Sequence, residues 1–76
     1  MTTQEFLTHL SDAMQRDEAL SPEMSLDSLE EWGSLAIISL ISLYEHLFHI
    51  SLTSNALKEC KNVADLLALA KDKLED

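Results

Sequence analysis

What the chain lacks narrows its chemistry before any motif is read. It has one cysteine, Cys60, so no internal disulfide can form, and the expected compartment is a reducing one, most simply the cytoplasm. No segment alternates apolar and polar residues as a half-buried strand does, and no internal repeat is present. The longest nearly apolar run, Leu35 to Tyr44, falls short of the ~20 residues that span a bilayer and is interrupted by Ser39 and Ser42. Glu5 and His9 break any early apolar stretch, so no signal peptide is expected. Bases are scarce: five against fourteen acids leave a net charge of -9, which repels nucleic-acid phosphates and anionic membranes alike. Any charged partner should be basic. The acids are uneven, with seven between Asp12 and Glu31 against the single base Arg16, and only Glu45 charged from Trp32 to Leu57.

What is present fits one small soluble domain over residues 1–76, with 46% hydrophobic side chains and a core but no room for a large catalytic cleft. Thr2 and Glu5 have capping-box spacing, and Phe6, Leu10, Ala13 and Met14 recur at helical intervals, which predicts a helix over about 3–16. Residues 17–33 contain the only proline, Pro22, and the only glycine, Gly33. They read as a long loop whose Leu20, Met24, Leu26, Leu29 and Trp32 fold back onto the core. A second helix is predicted from Ser34 to about Phe48, roughly 22 Å long. Thr53 or Ser54 can cap a short third helix through Cys60. Asn62 and Asp65 form a further capping pair, with Val63, Leu66, Leu67, Ala70 and Leu74 on one face of a last helix. The expected fold is all-α: four helices, the third short and the first connection long.

On a helical wheel Ala36, Ile37, Leu40, Ile41, Leu43, Tyr44, Leu47 and Phe48 occupy one broad arc, the core face of the second helix. The opposite arc is polar, with Ser34, Ser39, Ser42, Glu45, His46 and His49, yet Leu35 and Ile38 lie within it beside Ser34. Those two side chains are either a contact surface or are covered by the loop or the third helix. Ser34 has the ordinary reading of an N-cap. It has no nucleophile elbow around it and no histidine at a motif-like spacing. A serine modified by another enzyme needs neither. Gly33 permits close approach of a partner's backbone, and the helix N-terminus favours an attached phosphate.

These residues resemble the acyl and peptidyl carrier proteins, small acidic four-helix domains that bear 4'-phosphopantetheine on a serine. "WGSLAIISLISLYEHLFHISL" resembles the segment from the modified serine to the Phe-Gly-Val-x-Leu-like end of the second helix. "KNVADLLAL" resembles the Thr-Val-x-Asp-Leu-like start of the last one, so the resemblance spans about residues 3–74. Asp27, Ser28 and Leu29 spell the family's Asp-Ser-Leu triplet, but Ser28 stands six residues too far from Phe48, and a helix begun there would pass through Gly33 at a cost of ~1 kcal/mol. Ser28 and Glu31, at capping-box spacing, instead suggest a short turn. The resemblance therefore assigns the phosphopantetheine to Ser34.

By the resemblance, a phosphopantetheinyl transferase would load Ser34 from coenzyme A, and the thiol would carry acyl or aminoacyl groups as thioesters in fatty-acid, polyketide or related biosynthesis. The chain itself would catalyse nothing and act as a monomer. Loading ligases and synthases would dock on Gly33, Leu35, Ile38, Ser39 and Ser42, with charge attraction from Asp27, Glu30 and Glu31. The sequence departs from the family at Gly33, where an aspartate is usual, and at Ala36, Ser39 and His46, which replace typically acidic residues. Gly33 keeps open an alternative: an unmodified interaction module of the same fold. A metal site built from His46 and His49 with Glu45 or His9 would lack a recognisable third ligand, so no metal is expected. Cys60 reads as a small, buried apolar residue rather than a nucleophile.

Overall fold

A computed structural model describes residues 1–75. Four α-helices are present, and no strand occurs among the described residues: α1 (Thr3–Ala13), α2 (Ser34–Phe48), α3 (Ser54–Lys58) and α4 (Val63–Ala68), with 3₁₀ turns at Leu26–Ser28 and Lys71–Lys73. No helix among the described residues is long and apolar enough to cross a membrane.

Local hydrogen bonding starts three of the helices where the sequence predicts. At α1 the Thr2 hydroxyl accepts from the Glu5 N–H at 3.1 Å while the Glu5 carboxylate accepts from the Thr2 N–H at 2.9 Å. Those bonds hold the Glu5 carboxyl below its ordinary range. Thr53 accepts from the Ala56 N–H at α3, and Asn62 from the Asp65 N–H at α4. The Asp65 carboxylate reaches back to the Lys61 N–H rather than to Asn62.

The helix ends differ from expectation, because tertiary contacts set them. α1 stops at Ala13, three residues short of the predicted 16. Gln15 turns into the left-handed region with φ 57°, and the Ser11 hydroxyl donates to the carbonyls of both Arg16 and Glu18, folding the chain back across the end of the helix. α3 closes at Lys58, with Glu59 as its C-cap, instead of reaching Cys60. α4 ends at Ala68, so Leu74 is not on its face, although Val63, Leu66 and Ala70 are buried. α2 runs the full predicted length and ends because His49, at φ 57°, leaves the helical conformation.

The loop from residue 17 to 33 folds onto the core as expected: Leu20, Leu26 and Leu29 are buried, and Met24 and Trp32 pack partly against them. It also docks on α4. The Leu26 N–H donates to the Lys61 carbonyl, while the carbonyls of Met24 and Pro22 accept from the Val63 and Ala64 N–H groups. The N-terminus of α4 is thereby satisfied by the loop.

The α2 arc read from the wheel is the core face: Ala36, Ile37, Leu40 and Tyr44 are buried, and Ile41, Leu43, Leu47 and Phe48 are partly so. The fully buried Tyr44 donates its phenolic hydrogen to the Leu66 carbonyl, tying α2 to α4. Burial pushes the Tyr44 phenol above its ordinary 10.0. A group raised on folding contributes fully below its unfolded value and loses that contribution as pH climbs above it. Tyr44→Phe, which removes this bond but leaves the Leu66 carbonyl its bond from the Leu69 N–H, is expected to cost about 0.5–1.5 kcal/mol at neutral pH. It should also remove part of the native chain's loss of stability above pH ~10. Denaturant titrations at neutral and alkaline pH measure both effects.

Candidate functional site

The start of α2 is built differently from the other helix starts. The turn at Leu26–Ser28 and the buried Leu29 bring the chain over the core, and Gly33 then lies fully extended at φ 174°, ψ -166°. Gly33, not Ser34, is the N-cap: its carbonyl accepts from the Ile37 N–H at 2.9 Å, and Ser34 is the first helical residue. That corrects the reading of Ser34 as the cap. Because its backbone is already helical, its hydroxyl does not fold back onto the first turn.

Two consequences follow. Among the described residues no side chain caps α2, and no acid lies in its first turn, so neither a cap nor a first-turn carboxylate offsets the positive end of this fifteen-residue helix. The Ser34 hydroxyl is exposed and has no hydrogen-bond partner among the described residues.

Ser28 is placed otherwise. It ends the 3₁₀ turn, and its hydroxyl donates to the Ser25 carbonyl at 2.7 Å. It forms no capping box with Glu31, because the Glu31 carboxylate pairs with the Arg16 guanidinium at 3.0 Å. This pair also changes the charge map expected for docking. Glu31 has an internal partner, whereas Asp27 and Glu30 are exposed.

Leu35 and Ile38 are 83% and 61% exposed, so neither the loop nor α3 covers them. They flank Ser34 on the open side of α2, with half-buried Ser39 and exposed Ser42 farther along. Residue by residue, the structure brings Gly33, Ser34, Leu35, Ile38 and Ser39 onto one end of α2. The reading from sequence did not include a groove of about 390 Å³ next to this end, formed where Met14 and Gln15 at the close of α1 meet Leu35, Ala36 and Ser39. Nothing local signals it, since it depends on where α1 stops.

Among the described residues no three His, Cys, Asp or Glu side chains are grouped to hold a metal ion. Cys60 is half-buried, its thiol directed to the Ala56 carbonyl at 3.5 Å. Burial, with smaller effects of the Asp65 and Glu59 charges, pushes the thiol above its ordinary range, away from the nucleophilic thiolate.

No family model and no curated protein matches the chain. Among solved structures it is similar to a holo acyl carrier protein from Geobacter metallireducens determined by solution NMR. The two share 31% sequence identity over 96% of this chain and 86% of that one, with a TM-score of 0.72. At that identity and over nearly the whole of this helical chain, the similarity shows that this protein belongs to the acyl carrier protein family.

Proposed function

We propose that the protein carries acyl or aminoacyl groups as thioesters on a 4'-phosphopantetheine arm attached to Ser34, in fatty-acid, polyketide or related biosynthesis. The observation that carries this reading is the exposed Ser34 hydroxyl, without a hydrogen-bond partner among the described residues, at the uncapped start of α2. The residues fit the group. The hydroxyl is open to an incoming phosphoryl centre, and the unneutralised helix end favours the negative phosphodiester that would result. When bound, the arm supplies a thiol that holds the cargo as a thioester.

As the Ser34 oxygen bonds the phosphorus of the arm, the pyrophosphate bond of coenzyme A would break and adenosine 3',5'-bisphosphate would leave; no base among the described residues bonds the Ser34 hydroxyl, so its proton would pass to a group of the phosphopantetheinyl transferase. The chain's own contribution is to hold the attachment oxygen at the surface and to present Leu35 and Ile38 beside it. The loading ligases and synthases proposed as partners would bury those side chains, with basic residues meeting Asp27 and Glu30 rather than Glu31. Using the transferase as the probe, Leu35→Asp combined with Ile38→Asp is expected to lower kcat/KM by about tenfold or more, since burying one leucine contributes about 1.5–3 kcal/mol.

The test of the reading is intact mass and peptide mapping after incubation with coenzyme A, magnesium and a broad-specificity transferase. One phosphopantetheine on the peptide containing Ser34 is expected. A chain that stays unmodified overturns the reading.

A second reading, an interaction module that is never modified, draws on Gly33 in place of the family's aspartate. The fold does not demand glycine there: φ is extended, and a Cβ would meet nothing within 4 Å. Gly33→Asp should therefore be accommodated and should stabilise the helix start by about 0.3–1 kcal/mol through the helix dipole, measured by denaturant titration. Faster modification of this variant would mean that the natural glycine limits recognition by the transferase. The variant's remaining unmodified under conditions that load another carrier would favour the second reading.

A further inference from the structure

We propose that Arg16 is a positioning residue for loading: by holding Glu31 against the end of α1 it keeps the first turn of α2, and with it Ser34, in place. The inference rests on the assignment of Ser34 above. Its starting point is how little else restrains residues 30–33. Among the described residues their one hydrogen bond to a distant part of the chain runs from the Arg16 guanidinium to the Glu31 carboxylate, at 3.0 Å. The Trp32 backbone N–H reaches only the Leu29 carbonyl, and the residue is half-buried. Gly33 has no side chain to pack, and the space around it is open.

Helix ends fray when their first turn is not held. The first turn of α2 has no side-chain cap, and its opening bond runs from the Ile37 N–H to the Gly33 carbonyl, so it forms only while Gly33 stays in place. A glycine does little to fix its own backbone. Glu31, three residues before Ser34, is where the approach to the helix is tied down.

The anchor is itself fixed. The Arg16 N–H donates to the Ser11 carbonyl at 3.0 Å, and its carbonyl accepts from the buried Ser11 hydroxyl at 3.1 Å. The Arg16 side chain is only 15% exposed. Its Nε is buried without a hydrogen-bond partner among the described residues, a desolvation cost that offsets much of what the pair gains. The pair therefore does more for placement than for stability.

The test loads the full chain with a broad-specificity transferase, coenzyme A and magnesium, and resolves kcat from KM for the carrier. Arg16→Met and Glu31→Ala are each expected to lower kcat about tenfold, since a misplacement of ~1 Å can cost 100-fold. Their KM values should move in opposite directions, because the first frees an acid to meet the basic docking surface proposed above and the second removes one. A single guanidinium nitrogen makes the bond, so Arg16→Lys should restore kcat to within about threefold. Trp32, the only tryptophan, gives a readout independent of loading: its emission should move to longer wavelength in Arg16→Met and not in Arg16→Lys, with circular dichroism unchanged. If Arg16→Met loses its helices, Glu31→Ala decides by the same readouts. An unchanged kcat, a loss confined to KM, an unmoved Trp32 emission or a defect that lysine does not repair overturns the positioning role while leaving the attachment standing. A natural chain that gains no mass overturns both.

Discussion

Ser34→Ala is expected to abolish phosphopantetheine loading completely while leaving the four helices in place. Both halves follow from the position of the side chain. The hydroxyl is exposed, makes no hydrogen bond among the described residues and does not cap α2, so its removal breaks no contact described in the fold. Alanine also has the higher helix propensity, by at most ~0.7 kcal/mol, so stability should be unchanged or slightly raised. The loss of loading is total because an alanine offers no oxygen to form the phosphodiester. Intact mass reads the loading, and circular dichroism with a thermal scan reads the fold. Ser28→Ala is the control: its hydroxyl is engaged with the Ser25 carbonyl, and its loss should leave loading at Ser34 intact. Loading that persists in Ser34→Ala and vanishes in Ser28→Ala would overturn the assignment.

The second large effect lies in the core. Phe6 is fully buried, and its ring meets the Tyr44 ring edge-on at 5.3 Å and the Phe48 ring at 5.1 Å. These three rings join α1 to α2, and the phenol of Tyr44 continues the connection to α4. Phe6→Ala is expected to cost about 3–5 kcal/mol, the sum of lost transfer energy and the cavity left behind. A domain of 76 residues has only roughly 4–11 kcal/mol to lose. The variant should therefore unfold well below the natural chain's midpoint and be partly unfolded at 37 °C, as a denaturant or thermal curve would record. A midpoint within a few degrees of the natural chain's would mean that α1 contributes far less to the fold than its packing implies.

The same contrast between local and distant causes decides what could be read without coordinates. The starts of α1, α3 and α4 were legible because Thr2, Thr53 and Asn62 act on backbone groups three residues away. The span and core arc of α2 were legible because a 3.6-residue repeat of Ala36, Ile37, Leu40 and Tyr44 suffices to define a buried face. The order of motifs carried the family resemblance, and the choice of Ser34 over Ser28 rested on helix length. Those are properties of the chain in one dimension.

The tertiary structure decided what depends on residues far apart meeting. The return of residues 16 and 18 onto Ser11 ends α1 early, which opens the groove beside α2. Arg16 reaches Glu31 across fifteen positions and takes it out of the acidic surface, while the loop's carbonyls cap α4 and leave α2 uncapped. Even the exposure of Leu35 and Ile38, suspected from the wheel, required knowing that neither the loop nor α3 lies over them. Short-range hydrogen bonds and periodicity thus determined which segments are helices, whereas the contacts that close long loops determined which side chains around Ser34 remain open to a partner.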